Sequence, residues 1–321
     1  MTGMANSRHT ESRPIGVFDI GSNTILLLVM AADGSVLRDL ARITRLGQGV
    51  FESGELAPQA IARSEAAIAE FAAQARRDGV ERLVAVGTEA LRRARGGAEF
   101  LAGLVRAGLV DGARLLSGED EAELTLEATR LGVGERCETI AVIDVGGGST
   151  EVAWRARRAG PVRGLSLPLG SVRLTEAHLP RHPIPPAELT ALRAHVARVA
   201  EPLARALPNG LPDAAVVAVA GTATTLAALE LALAPYDPAR VEGLGLDRAV
   251  LARWIERLAA LPVEARKRLP GLEPGRADVI VAGLVCLELA LARLGVTHFR
   301  VSERGVRHGV ALRILAGHLA V

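Results

Sequence analysis

The chain has 321 residues, 49% of them apolar and 23% charged, which is enough for a packed core and for two domains. Its 38 basic residues almost cancel its 36 acidic ones, and five Phe, two Trp and one Tyr are its only aromatic rings outside histidine. That balance excludes a general nucleic-acid binder, which shows a basic excess and rings for bases to stack on, and the composition excludes a disordered or collagen-like chain.

Residues 1–13 are polar, lack the apolar core of a signal peptide and read as a disordered tail. Strands are expected at Ile15–Ile20, Ile25–Ala31 and Val36–Ile43. A helix over Pro58–Asp78 follows from the 3.6-residue spacing of Ile61, Ala62, Glu65, Ile68, Ala69 and Ala72, with Pro58 in its first turn. Arg82–Val86 reads as a strand, Glu89–Gly108 as a helix, Ala113–Leu116 as a strand and Glu119–Leu131 as a helix. The pattern then restarts with strands at Ile140–Val145, Glu151–Arg155 and Val162–Pro168. A helix is expected at Leu189–Ala206, a strand at Ala214–Ala220 and a helix at Ala223–Leu233. Helices at Arg248–Leu261, Pro274–Leu294 and Arg307–Ala320 complete the chain, interrupted by a strand at His298–Val301. The alternation indicates an α/β fold.

Several chemistries drop out. Cys137 and Cys286 stand alone, without CxxC or Cys/His spacing, so neither zinc nor a disulfide framework is indicated. His178 and His182 are four apart, but Pro180 and Pro183 break any helix that would pair them. No P-loop is present, and Lys267, the single lysine, lies far from any glycine-rich turn. No G-x-S-x-G nucleophile elbow occurs either. Ala214–Ala234 contains Thr222, Thr224, Thr225 and Glu230, and Val279–Leu294 contains Glu288 and Arg293. Both read as buried elements rather than membrane spans, and a cytoplasmic location is expected.

The restart is a repeat. Phe18-Asp19-Ile20-Gly21-Ser22-Asn23-Thr24 parallels Ile143-Asp144-Val145-Gly146-Gly147-Gly148-Ser149-Thr150. Each is an apolar strand that ends in Asp, turns through Gly and hydroxyl residues, and runs into another strand. This implies one unit used twice, once per domain (14–132 and 133–321), with a cleft between and the last helix free to pack back on the first domain. Backbone N–H groups in such turns form anion nests, glycine supplying positive φ and close approach, while Ser and Thr add donors. The Asp beside each nest suits Mg²⁺, which neutralises phosphate charge. The bland alternative for either turn alone is an Asx-closed β-turn.

Ser117-Gly118-Glu119-Asp120-Glu121-Ala122 opens a helix. A capping box from Ser117 and Asp120 accounts for it structurally; alternatively, one of the three acids leans into the cleft as a general base, and spacing does not choose among them. Gly221 and Thr222 sit between a buried strand and a helix and offer a further anion contact, or merely a tight turn. Arg92 suits bidentate phosphate contact.

Together these stretches resemble the exopolyphosphatase/guanosine pentaphosphate phosphohydrolase family, of the actin, sugar kinase and acetate kinase superfamily. The carriers are Val17–Thr24, Thr88–Arg92, Ser117–Ala122, Val142–Glu151, Ser166–Arg173, Gly221–Leu229, Pro270–Asp278 and Val301–Gly305. The resemblance implies two ribonuclease-H-like domains with the active site between them, and a homodimer. It selects Glu121 as the catalytic carboxylate and implies Asp144 and Glu151, with Asp19, as Mg²⁺ positions. Gly21, Ser22, Asn23, Thr24, Arg92, Gly146, Gly147, Gly148 and Ser149 would hold phosphate.

The implied reaction is release of terminal orthophosphate from polyphosphate. Alternatives are hydrolysis of guanosine pentaphosphate or non-catalytic sensing of either compound. Four positions depart from the family's usual pattern: Leu26 where a basic residue is common, Glu89 near the Arg, Asp120 in the acidic pair, and Glu242 in place of a His. The chain also matches the short form of the family, which puts long-chain processivity in question.

Overall fold

The computed structural model describes residues 13–130, 132, 137–157, 160–319 and 321. The expected tail, and most of the 131–138 stretch where the sequence suggests a domain boundary, lie outside the described residues. Among the described residues, eleven strands form two mixed sheets. β1 (Ile15–Ile20), β2 (Thr24–Met30), β3 (Val36–Ile43), β4 (Arg82–Gly87) and β5 (Gly112–Leu115) are ordered β3-β2-β1-β4-β5. β6 (Ile140–Val145), β7 (Thr150–Arg155), β8 (Arg163–Leu167), β9 (Ala215–Val219), β10 (Gly245–Asp247) and β11 (His298–Val301) are ordered β10-β11-β9-β6-β7-β8.

The repeat seen in the sequence is a repeat in space. β1–β2–β3 and β6–β7–β8 are antiparallel meanders, and β1 and β6 each pair in parallel with the strand on their other side, β4 and β9. β1 and β6 are therefore interior strands covered on both faces, which explains their almost unbroken apolar runs. In both, the one position not fully buried is the penultimate Asp.

Two helices lie between the sheets. The Gly118–Arg130 helix sends Leu124 toward β1 and the C-terminal helix Val306–Leu315, burying it with Ile15, Val17, Leu28, Val84, Val310 and Ile314. Its other face, Ala122 and Leu126, packs against Ile140, Val142, Ala153 and Val217 of the second sheet. Close approach requires small residues. A Cβ on Gly164 would meet Ala122 Cβ at 2.6 Å, and one on Gly118 would overlap Ser166. A Cβ on Gly309 would overlap the Leu124 carbonyl, so glycine lets the last helix lie tightly against the Gly118–Arg130 helix.

Three expected helices are broken. Glu89–Gly108 divides into Glu89–Arg93 and Gly97–Arg106, where Gly96 takes φ of 81°. Leu189–Ala206 becomes Pro186–Val199 and Glu201–Ala206, with Pro202 in the first turn of the second. Pro274–Leu294 becomes a 3₁₀ turn at Pro274–Arg276 followed by Ile280–Leu294. Short helices such as Ser171–His178 and the edge strand β10 carry too little periodicity to be read from sequence. Among the described residues, no helix is long and apolar enough to cross a membrane.

Candidate active site

The ends of β1 and β6 meet at a cavity of about 940 Å³. Gly21 N–H donates to the Thr24 carbonyl at 3.1 Å, and Gly146 N–H donates to the Ser149 carbonyl at 3.0 Å, so the two turns share one hydrogen-bonded form. They also touch. A Cβ on Gly147 would stand 2.8 Å from Ser22 Cβ, and one on Gly148 would collide with the Phe51 ring. The expectation that these glycines supply positive φ is corrected here. None of Gly21, Gly146, Gly147 or Gly148 adopts it, and close approach is what requires them. Helix Ser171–His178 closes on the second turn, Ser171 and Val172 N–H donating to the Gly146 and Gly147 carbonyls at 2.9 Å.

The sequence-selected carboxylates converge. Asp144 and Glu151 are directly opposed across β6 and β7, so their side chains share a face. In the first sheet the corresponding partners are Asp19 and Leu26, and the duplicate pair is incomplete. Of the three acids opening the Gly118–Arg130 helix, Asp120 is spent on the cap. Its carboxylate accepts from Ser117 N–H at 3.1 Å, and its own N–H donates to Ser117 Oγ at 3.0 Å. Glu121, one residue on, is buried and lines the cavity. Glu151 accepts from Ser166 Oγ at 2.6 Å.

Electrostatics bind these acids into one group. Burial lifts Asp19 to about 6, opposed by Arg307. Burial lifts Glu151 to about 7, opposed by hydrogen bonds from Ser166 and Ser149 and by Arg92. Glu121 is pushed well above the carboxylate range by burial and then by the Glu151 charge, with Arg92 opposing. Asp144 is pushed up by burial, Glu151 and Asp19, with Arg307 opposing. Such shifts collect where acid–base chemistry or cation binding occurs.

A divalent cation would relieve this repulsion, and the donor set fits Mg²⁺, a hard ion that takes carboxylate oxygens. Among the described residues no three acidic, His or Cys side chains form a ready-made cage. Asn23 also fits a bound anion or water network: it is buried on the cavity wall, and its side-chain Oδ1 and Nδ2 have no hydrogen-bond partner.

Gly221 and Thr222 do line the cavity, but inside the first turn of helix Ala220–Glu230 rather than before it. Thr222 Oγ1 donates to the Val145 carbonyl at 3.1 Å, and Gly221 is overlaid by the Arg276 guanidinium. Arg92 is not on the cavity wall. Its guanidinium is held by Glu121, by Glu89 at 2.9 Å and by the Leu116 carbonyl at 2.6 Å.

Sequence reasoning missed four cavity residues, Arg307, Arg276, Tyr236 and Glu303. Arg307 forks onto Asp39 at 2.6 and 3.0 Å while facing Asp19 and Asp144. Arg276 donates to Thr24 Oγ1 at 3.2 Å. Tyr236, the single tyrosine, pairs with Glu303 beside an apolar wing of Leu233, Leu269 and Leu272. The Arg276 and Glu303 segments carried the family resemblance, a signal that could have found both; nothing local marks Arg307 or Tyr236.

Two matching glycine and hydroxyl turns and a group of buried carboxylates meet at one cavity of duplicated α/β halves, an arrangement suited to a phosphohydrolase. The chain belongs to the Ppx/GppA phosphatase family, whose model matches residues 29–318. It is 33% identical over 315 residues to "Exopolyphosphatase 2" of Mycobacterium tuberculosis, covering 94% of this chain and 98% of that one. It is 32% identical over 306 residues to "Exopolyphosphatase 1" of Mycobacterium bovis, covering 94% and 88%. The crystal structure of the Aquifex aeolicus family member superposes with a TM-score of 0.77 at 31% identity, over 96% of this chain and 99% of that one. The fold is the α/β, ribonuclease-H-like one the resemblance implied.

Proposed function

We propose that the chain is a Mg²⁺-dependent exopolyphosphatase that releases terminal orthophosphate from inorganic polyphosphate. The observation that carries this is Glu121, a buried carboxylate raised well above its ordinary range, facing Glu151 between two anion nests. The relatives named exopolyphosphatase, aligned along nearly the whole chain, support it.

Water oxygen attacks the terminal phosphorus, and the bridging P–O bond breaks. The electron pair leaves on the shortened chain, and a water proton passes to a Glu121 oxygen. Arg92 opposes the burial that raises Glu121 and so favours the ionised form that takes this proton. The nests of Gly21–Thr24 and Gly146–Ser149 orient the phosphoryl oxygens and take up their charge. Asp144, Glu151 and Asp19 would hold Mg²⁺, which when bound neutralises phosphate charge. The apolar wing beside Tyr236 favours a second reading, in which a nucleoside lies there and guanosine pentaphosphate loses its 5′ terminal phosphate. Orthophosphate release from polyphosphate, guanosine pentaphosphate and ATP, measured side by side with Mg²⁺, separates the two readings.

A further inference from the structure

Glu89 is the first residue of the short Glu89–Arg93 helix, buried at 9% exposure, and its carboxylate lines the cavity. Three guanidinium groups surround it. Arg92 Nη2 donates at 2.9 Å, Arg93 Nε donates at 3.0 Å, and Arg173 Nη1 stands at 3.6 Å. Arg173 arrives from the other half of the molecule, on helix Ser171–His178, stacked over the Phe51 ring at 4.7 Å. Glu89 lines the cavity, and none of the three arginines does. An anion reaching this wall therefore meets a carboxylate first and the guanidinium groups only behind it. A carboxylate ringed by forked donors occupies the place that a phosphoryl group takes in an arginine site.

We propose that Glu89 is a resident counter-anion that keeps the Arg92, Arg93 and Arg173 group closed to phosphate, and so limits how tightly the cleft holds a phosphate chain. The proposal rests on the phosphate-chain reading of the site. Other anions act on the same wall: Glu121 shares Arg92, and Glu151 faces Glu89. Each adds to the repulsion that an incoming phosphate meets.

The test is calorimetric binding of methylenediphosphonate, a non-hydrolysable pyrophosphate analogue, with Mg²⁺ present. Glu89→Gln should bind it about tenfold more tightly than wild type, with a steeper salt dependence, because one like charge close to the anion is gone. Glu89→Asp keeps the charge and should stay near wild type. Adding Arg173→Gln to Glu89→Gln should cancel the gain. Equal or weaker binding by Glu89→Gln overturns the proposal. So does a lower kcat at unchanged affinity, which would make Glu89 only a positioner of Arg92. If Glu89→Gln does not fold, Arg173→Gln alone decides: with Glu89 closing the group to phosphate it should bind the analogue close to wild type, and a several-fold loss, which would mean the guanidinium already meets phosphate, overturns the proposal. Because binding is read without turnover, the result stands apart from the proposed function, which fails instead if wild type releases no orthophosphate from polyphosphate.

Discussion

Replacing Asp19 by Asn should stabilise the metal-free protein, and more so at high pH. Asp19 is lifted from 3.8 to about 6 by burial, so the folded state binds its proton more tightly than the unfolded state does. Stability then falls as pH rises from the unfolded value through the folded one. For this one group the loss at high pH is about 3 kcal/mol, and about 2 kcal/mol of it falls between pH 4 and pH 8. Asn removes that loss and relieves Glu121 and Asp144, which Asp19 pushes up. Urea unfolding in chelator at pH 4 and pH 8 reads it. The stability gain of the variant should be larger by about 2 kcal/mol at pH 8. An equal gain at both pH values, or a net loss at pH 8, would refute the reasoning and mean that Arg307 holds Asp19 charged throughout. Activity should drop in the same variant, since functional sites trade stability for chemistry.

Three further outcomes follow from the same geometry. Arg307 lowers Asp19 and Asp144, so Arg307→Gln should raise both and move the rising limb of the pH–rate profile to higher pH; an unmoved limb would contradict this. Chelation should abolish orthophosphate release and Mg²⁺ restore it, while Glu151→Gln should raise the Mg²⁺ concentration for half-maximal rate about tenfold or more, read by titration.

The strand–Asp–turn repeat was legible because it is local. β1 and β6 are continuous apolar runs, and each announces its end with Asp and Gly. The sequence also contained the capping box that removes Asp120 from contention, but not the fact that Glu121 turns inward. That depends on Gly118 and Gly164 letting one helix settle on a sheet formed later in the chain. Arg307 with Asp39 and Arg276 with Thr24 join residues more than 250 positions apart, and no spacing rule reaches that far. Arg92 was chosen for its type and by resemblance, and nothing in the sequence signalled that Glu89 and Glu121 would pair with it. The glycines of the second turn were assigned to the site for positive φ and close approach of an anion; they lack positive φ, and Gly147 and Gly148 are demanded by close packing against Ser22 and Phe51.

The central claim is that Glu121 is the base of a phosphate-chain hydrolase. Orthophosphate release from polyphosphate with Mg²⁺, comparing wild type with Glu121→Gln under matched folding, tests it most directly. The account predicts release by wild type and a loss of about 10²–10⁴-fold in kcat for the variant, with polyphosphate still bound. Release that survives the substitution would contradict the assignment of the base, and no release by wild type from any phosphate chain would contradict the account as a whole.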